Sequence, residues 1–329
     1  MEQATHCKRT DIVALGELLI DFTECGRSED GMKLFEQNAG GAPANLLTAA
    51  SHMGCTTAFI GKVGDDMHGR FLLETLEKEG IYTRSVIVDK NYFTTLAFVE
   101  LTKEGERSFS FSRKPGADTM LRKEELDRDL LSDCRIFHFG SLSLTDEPAR
   151  SATLEAVRLA KESGAVISYD PNYRASLWES REKAVEQMRS VIPMTDLLKV
   201  SDEESLLLTG CASCEEAADI LLSMGPKLVA ITLGSEGVLL ARKNERERIS
   251  SFAVENVVDT TGAGDTFWGG FLSAFFPFDR SVEAMTWKDL RNCALTGNAA
   301  AALCIRKRGG IPSIPGREEV EQLQRTIKE

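Results

Sequence analysis

An acid stands inside a stretch otherwise suited to hold an anion. Val257-Val258-Asp259-Thr260-Thr261-Gly262-Ala263-Gly264-Asp265-Thr266-Phe267 leads from an apolar approach into a small glycine-bearing turn. A largely apolar segment over residues 267–276 then continues at helix length and stops at Pro277. The pattern predicts a turn that opens a helix. The backbone N–H groups of Gly262, Ala263 and Gly264 lack intrahelical partners there, and no large side chain shields them, so free donors and helix dipole together attract an anion. Asp265 would repel a bound phosphate. A plain phosphate cradle would carry Lys instead, as in GxxxxGK[ST], which this chain lacks. The acid makes sense if it takes a proton from an attacking hydroxyl while the N–H groups neutralise charge on phosphoryl oxygens. An ordinary helix start with Asp in its first turn fits the same residues, and the stretch alone does not separate the two.

A second glycine-bearing helix start lies far upstream, at Gly40-Gly41-Ala42-Pro43-Ala44-Asn45. Pro43 suits a first helical turn, and the Ala-rich sequence after it propagates a helix. The paired glycines leave no side chain between the backbone and whatever sits above it. Asn45 shares a helical face with Gly41, either for a polar task there or as a buried hydrogen-bonding residue. Asp170-Pro171-Asn172-Tyr173-Arg174 follows an apolar strand, at the carboxyl end where open α/β sheets place ligands. Arg174 there can donate a bidentate hydrogen bond or close a salt bridge at the sheet's edge. Asp170 can simply hold the turn before Pro171.

These residues need a scaffold, and the chain alternates to supply one. Short apolar strands are predicted over residues 11–16, 56–60, 136–138, 166–169, 197–200 and 228–233, with helices over 67–79, 147–162 and 289–304 between and after them. Such alternation implies a mainly parallel sheet covered on both faces. Residues 84–112 break the rule with β-rich runs over 85–88, 94–101 and 107–111 and no helix between them. Lys103-Glu104-Gly105-Glu106 joins the last two runs as a hairpin, which predicts a small antiparallel sheet placed as a lid. Arg107 and Arg113 fall on it. No linker, repeat or low-complexity segment divides the 329 residues, so one domain is expected over 1–329, with the lid built from about 17–38 and 84–115.

Composition narrows the partners. A formal net charge of -12 argues against general binding to nucleic acid or membrane surfaces, which a basic patch would announce. No apolar run reaches membrane-spanning length, and the first nine residues lack the apolar core of a signal peptide, so a cytoplasmic protein is expected. Eight scattered cysteines then read as reduced thiols. Cys211 and Cys214 form a lone C-x-x-C, and His6, His52, His68 and His138 do not cluster to complete a zinc site.

The Gly40–Asn45 and Asp259–Asp265 stretches together resemble the two signatures of the ribokinase-type (PfkB) carbohydrate kinases, in the right order and far apart. Residues 98–118, 170–178 and 199–204 resemble the fructokinases of that family most closely. The resemblance covers essentially the whole chain. It implies a ribokinase-like three-layer α/β/α sandwich with a small β-sheet lid. It also implies Asp265 as the base for a sugar hydroxyl and Gly262, Ala263 and Gly264 as the anion hole for the γ-phosphate. Asp21, Gly40, Gly41 and Asn45 match positions that hold sugar hydroxyls, and Arg174 and Arg113 fall in substrate-side segments. Thr232, Gly234, Gly237 and Asn298 match contacts to ATP. Members often carry Asn-x-x-Glu near magnesium and the phosphates. Here Ser201 takes the Asn position and Glu204 is retained, which implies magnesium oriented through water. Asp259, Thr261, Gly309 and Ser313 lie where many members bind a monovalent cation such as K+, mostly through backbone carbonyls.

The function so implied is transfer of phosphate from ATP to the 6-hydroxyl of D-fructose. Another sugar or sugar acid, notably 2-keto-3-deoxygluconate, is the alternative, with Arg174 for its carboxylate. A silent sugar- or nucleotide-binding regulator on the same fold would have dispensed with Asp265 or the GAG turn, and both are present. A dinucleotide-dependent dehydrogenase is disfavoured because the first strand leads to Gly16-Glu17-Leu18 and not to G-x-G-x-x-G. By analogy with family members, two chains could pair through the lid sheet.

Overall fold

The computed structural model describes residues 10–101, 107–276 and 282–326. In chain order the first strands are β1 (Thr10–Leu15), β2 (Leu19–Arg27), β3 (Lys33–Gly40), β4 (Thr57–Gly64), β5 (Ile81–Tyr82), β6 (Val86–Asp89), β7 (Leu96–Leu101) and β8 (Arg107–Ser112). They are followed by β9 (Cys134–Gly140), β10 (Val166–Asp170), β11 (Leu197–Ser201), β12 (Leu228–Thr232), β13 (Val238–Arg242) and β14 (Glu245–Ile249). The large sheet runs β14-β13-β12-β11-β10-β9-β1-β4-β5, with β6 also on β4. It is parallel from β12 through β5 and antiparallel only at the β12-β13-β14 edge.

Burial on both faces follows from the side-chain alternation of β1. Ile12 and Ala14 point into one core, and Val13 and Leu15 into the other. The first core is closed by α1 (Ala42–His52), α2 (Met67–Lys78), α8 (Ala263–Phe275) and α9 (Trp287–Cys304). The second is closed by α3 (Arg128–Ser132), α4 (Ala149–Glu162), α5 (Arg181–Ser190), α6 (Asp202–Thr209) and α7 (Cys214–Ser223), while α10 (Arg317–Arg325) packs on α9. Each large side chain taken out of water in these layers stabilises the fold by about 1.5–3 kcal/mol. Trp268 and Phe271 of α8 are among the largest such side chains in the first core. The Trp268 indole also donates to Ser168 Oγ of β10 at 2.8 Å, and that hydroxyl lies 3.0 Å from His138 Nδ1 of β9. This polar link pins α8 to the centre of the sheet.

The smaller sheet runs β3-β2-β7-β8. It differs from the expected one in two respects. The run expected over 85–88 in the small sheet forms β6 alongside β4 in the large one, where Val86 is buried. The sheet is also not wholly antiparallel, because β2 and β7 pair in parallel. Register places Asp21 beside Asn38 and Ala97, and Ala97 beside Phe111, so these residues share one face. The opposite face carries a ladder in which Phe22 stacks on Phe98 at 5.4 Å and Phe35 meets Phe98 edge-on. The Lys103–Glu106 turn and the Arg107 side chain lie outside the described residues. Among the described residues no helix is long and apolar enough to cross a membrane.

Candidate active site

Two helix starts and two strand ends converge on one cavity of about 660 Å³. The starts are those of α1 and α8, and the ends are those of β10 and β11. The glycines explain how the backbone gets there. Gly41 has φ 117°, and a Cβ on it would lie 2.4 Å from the Glu17 carbonyl oxygen. Gly262 caps α8 in the left-handed region at φ 73°. Gly40 matters for space: a Cβ there would sit 2.1 Å from Asp21 Oδ2. Its absence lets the Asp21 carboxylate reach the cavity from the small sheet.

Asp265 lies in the first turn of α8 and is 7% exposed. Its two oxygens each accept an amide. Asn45 Nδ2 donates to Oδ2 at 2.9 Å, and Asn172 Nδ2 donates to Oδ1 at 2.8 Å. Burial pushes the carboxyl above its usual range, opposed by Lys199, Asn45, Arg174 and Asn172. Lys199 Nζ lies 2.7 Å from Asp170 Oδ2, beside the anion loop, since a Cβ on Gly264 would come within 2.9 Å of that nitrogen. Burial pulls Lys199 down, but the carboxylates of Asp170, Glu204 and Asp265 outweigh it and hold the ammonium above its ordinary range. A buried cation therefore stands behind the start of α8 with an acid at the rim, but the expected free donor at Ala263 is already taken, its N–H donating to the Thr260 carbonyl at 3.2 Å.

Ser201 and Glu204 form a capping box at the start of α6. Glu204 N donates to Ser201 Oγ at 3.1 Å, and Ser201 N donates to Glu204 Oε2 at 2.8 Å. Glu204 Oε1 also accepts from Tyr173 N at 2.7 Å, which ties the Arg174 segment to α6. Each carboxylate oxygen can accept one further hydrogen bond, and Glu204 lines the cavity. The donor set thus suits a hydrated divalent cation carried by phosphates, with Glu204 as an outer ligand. Among the described residues no cluster of three or more His, Cys, Asp or Glu side chains could hold a metal ion.

The model of the pfkB family carbohydrate kinases matches residues 9–317. The chain belongs to that family. Fructokinase-1 of Zea mays is 41% identical to it over 317 residues, which are 95% of this chain and 97% of that protein. A fructokinase of Xylella fastidiosa with bound ATP superposes with a TM-score of 0.90 at 32% identity, covering 98% of this chain and 100% of that one. A Vibrio cholerae fructokinase in a form binding fructose, ADP and a calcium ion superposes with a TM-score of 0.87 at 29% identity, covering 96% and 99%. The three-layer sandwich is therefore the ribokinase-like fold.

In this PfkB kinase the cavity gathers most of the residues singled out from the sequence. Asp21, Gly41, Asn45 and Arg174 line it. Ser201, Glu204, Thr261, Gly262, Ala263, Gly264 and Asp265 line it too. Thr232 sits at its edge, paired in register with Ser201. Gly234 and Gly237 form the turn after β12, and a Cβ on Gly237 would meet the Ile249 carbonyl oxygen at 2.1 Å. Asn298 is buried, with its amide donating to the carbonyls of Ile249 and Ser250. Asp259 joins two loops, accepting from Thr261 N at 2.7 Å and Gly309 N at 3.0 Å. Ser313 lies beneath them, 3.0 Å from Cys304 Sγ.

Arg113 departs from its expected place. It is buried outside the cavity, paired to Asp118 at 2.7 Å and donating to Thr145 Oγ1 and the Leu142 carbonyl. A buried guanidinium stays where its donors are satisfied, and Asp118, Thr145 and the Leu142 carbonyl hold this one at the end of β8. The sequence reading missed three groups. Lys199 was a lone charge inside an apolar strand, which is a usable signal. Asn172 follows a proline in the left-handed region that Asn tolerates, at φ 47°. Glu17 accepts from Ala42 N at 2.9 Å, supports the start of α1, and is pushed up to about 7 by burial.

Proposed function

We propose that this kinase transfers the γ-phosphoryl group of ATP to the 6-hydroxyl of D-fructose. The observation that carries the reading is the placement of Asp265. It is a buried carboxylate fixed by two amides at the mouth of a helix start whose N–H groups face the same cavity. In the reaction the sugar O6 forms a bond to Pγ as the bond from Pγ to the bridging oxygen breaks and ADP departs. The O6 proton passes to Asp265, late, because a free alcohol is too weak an acid to ionise first. The N–H groups of Gly262 and Gly264 and the Lys199 ammonium offset charge on the phosphoryl oxygens, while the Ala263 N–H closes the turn on the Thr260 carbonyl. Asp21, Asn45 and Arg174 orient the sugar. Glu204 would address the water of a magnesium ion carried by the nucleotide, which would supply charge neutralisation to the phosphates.

The loops carrying Asp259, Thr261, Gly309 and Ser313 are joined through the Asp259 carboxylate and would offer carbonyls to a monovalent cation, K+, beside the anion hole. The small sheet acts as a lid, since Asp21 and Phe111 on its inner face line the cavity. A second copy of the chain is the proposed partner for its outer face, where Phe35 and Phe98 are exposed. The free thiols among the described residues fit a reducing, cytoplasmic setting.

Phosphate transfer from ATP across a panel of hexoses, pentoses and keto-acids tests the assignment. Fructose is expected to give the highest kcat/KM. A preference for 2-keto-3-deoxygluconate would overturn the sugar while leaving the kinase reading in place.

A further inference from the structure

We infer that Asn172 is a positioning residue for Asp265, held in register by Asp170 and through it by Lys199. The inference rests on the reading of Asp265 as the base. A carboxylate held at one oxygen still turns about its Cβ–Cγ bond. One held at both oxygens by donors from different elements does not. Asn45 comes from α1, and Asn172 from the turn beyond β10, 93 positions before Asp265. Because an ionised carboxylate only accepts, the atoms facing it must be the amide nitrogens.

The turn is built to aim that amide. Asn172 sits at φ 47°, a conformation Asn adopts more readily than most residues. Its own N–H donates to Asp170 Oδ1 at 3.2 Å, while Asp170 Oδ2 accepts from Lys199 Nζ at 2.7 Å. A continuous hydrogen-bonded chain therefore runs from Lys199 on β11 through Asp170 and Asn172 to the carboxylate. The charged or titratable groups facing Asp265 are Lys199, Arg174 and Asp170, with the Cys304 thiol behind it on α9. Asp21 and Glu204 line the same cavity. Asn172 and Asn45 each donate a side-chain amide directly to Asp265.

Asn172→Gly keeps the positive φ and removes the amide, so it isolates the contact. We expect kcat to fall about tenfold to a hundredfold as the base loses its orientation. We also expect the acid limb of kcat/KM to move up by about one pH unit, because a hydrogen bond to the charged form is lost. Should that variant fail to fold, Asn172→Ala removes the amide without adding a charge and gives the same readout, with the acid limb again displaced upward. A loss of rate with the acid limb unmoved, in whichever variant folds, assigns Asn172 a purely structural role and overturns the inference. Asp265→Asn is measured alongside. Near wild-type turnover there would remove the base reading itself, whereas an inactive Asp265→Asn beside unmoved Asn172 profiles would remove only the positioning role.

Discussion

The Asn45 amide nitrogen and the Asp265 carboxylate meet at 2.9 Å across 220 positions of chain. That contact joins the first turns of α1 and α8, so two glycine-bearing helix starts become one site. It also decides what the acid can do. Two amide donors favour the charged carboxylate but do not offset burial, which still raises its pKa, and each oxygen keeps a lone pair for an incoming proton.

Replacement of Asp265 by Asn should therefore remove most turnover while leaving ligand binding nearly intact. The side chain keeps its volume but loses proton affinity, and general-base assistance is worth about 10²–10⁴-fold. Initial rates with ATP and fructose, together with calorimetric titration of the variant, check both halves. Turnover near the wild-type rate would sink the base assignment.

The wild-type pH profile follows from the same environment. Asp265 works only when deprotonated, and burial sets its pKa above that of an ordinary aspartate. Activity should thus fall on the acid side at a higher pH than the usual carboxylate value of about 3.9. An acid limb of kcat/KM at or below that value would mean that the amides and Lys199 outweigh burial.

Much of this arrangement was legible because it is local. Strand–helix alternation, Pro43 in a first turn and small residues at both helix starts are properties of a few consecutive residues, and they located the cavity's floor. The pairings that complete the cavity are not local. Nothing near Val86 distinguishes a strand for β4 from one for the small sheet, and nothing near Arg113 announces Asp118, Thr145 and the Leu142 carbonyl as its partners. The Ser201–Glu204 spacing that points to a nucleotide-side pair also caps α6. Asn172 escaped notice because its importance lies in a contact 93 residues away.

Close approach of α1 and α8 depends on Gly269. A Cβ at that position would stand 2.4 Å from the Leu46 carbonyl oxygen and 2.7 Å from Ala49 Cβ. Both obstacles belong to α1, and one is backbone, so the helices must separate to admit a methyl group. Gly269→Ala should cost about 1–3 kcal/mol of stability as an overpacked core contact. It should also lower kcat although residue 269 lines no part of the cavity, because separation stretches the Asn45–Asp265 contact. Denaturant unfolding and steady-state kinetics on the same preparation test the pair of effects. Lost stability with unchanged kcat would show that the helix starts hold their spacing independently.

His138 offers a test of the sheet's interior. The imidazole is buried on β9 against Ser168, and burial together with the nearby Lys199 ammonium lowers its pKa to about 3 from an ordinary 6.5. In the unfolded chain the group takes up a proton as pH falls through 6.5, whereas the folded protein refuses it until about 3. The contribution of neutral His138 to stability is therefore fully present above pH 6.5 and is lost as pH falls, by about 1.4 kcal/mol per unit over that window. Buried acids with raised values, Asp170 and Glu17, act in the opposite direction and blunt the total slope. The difference between wild type and His138→Asn removes them from the comparison, since both proteins carry them. Urea unfolding at a series of pH values between 6.5 and 4 should show the wild type losing stability relative to the variant with a slope of about one proton. Parallel profiles would mean that His138 accepts its proton in the folded state.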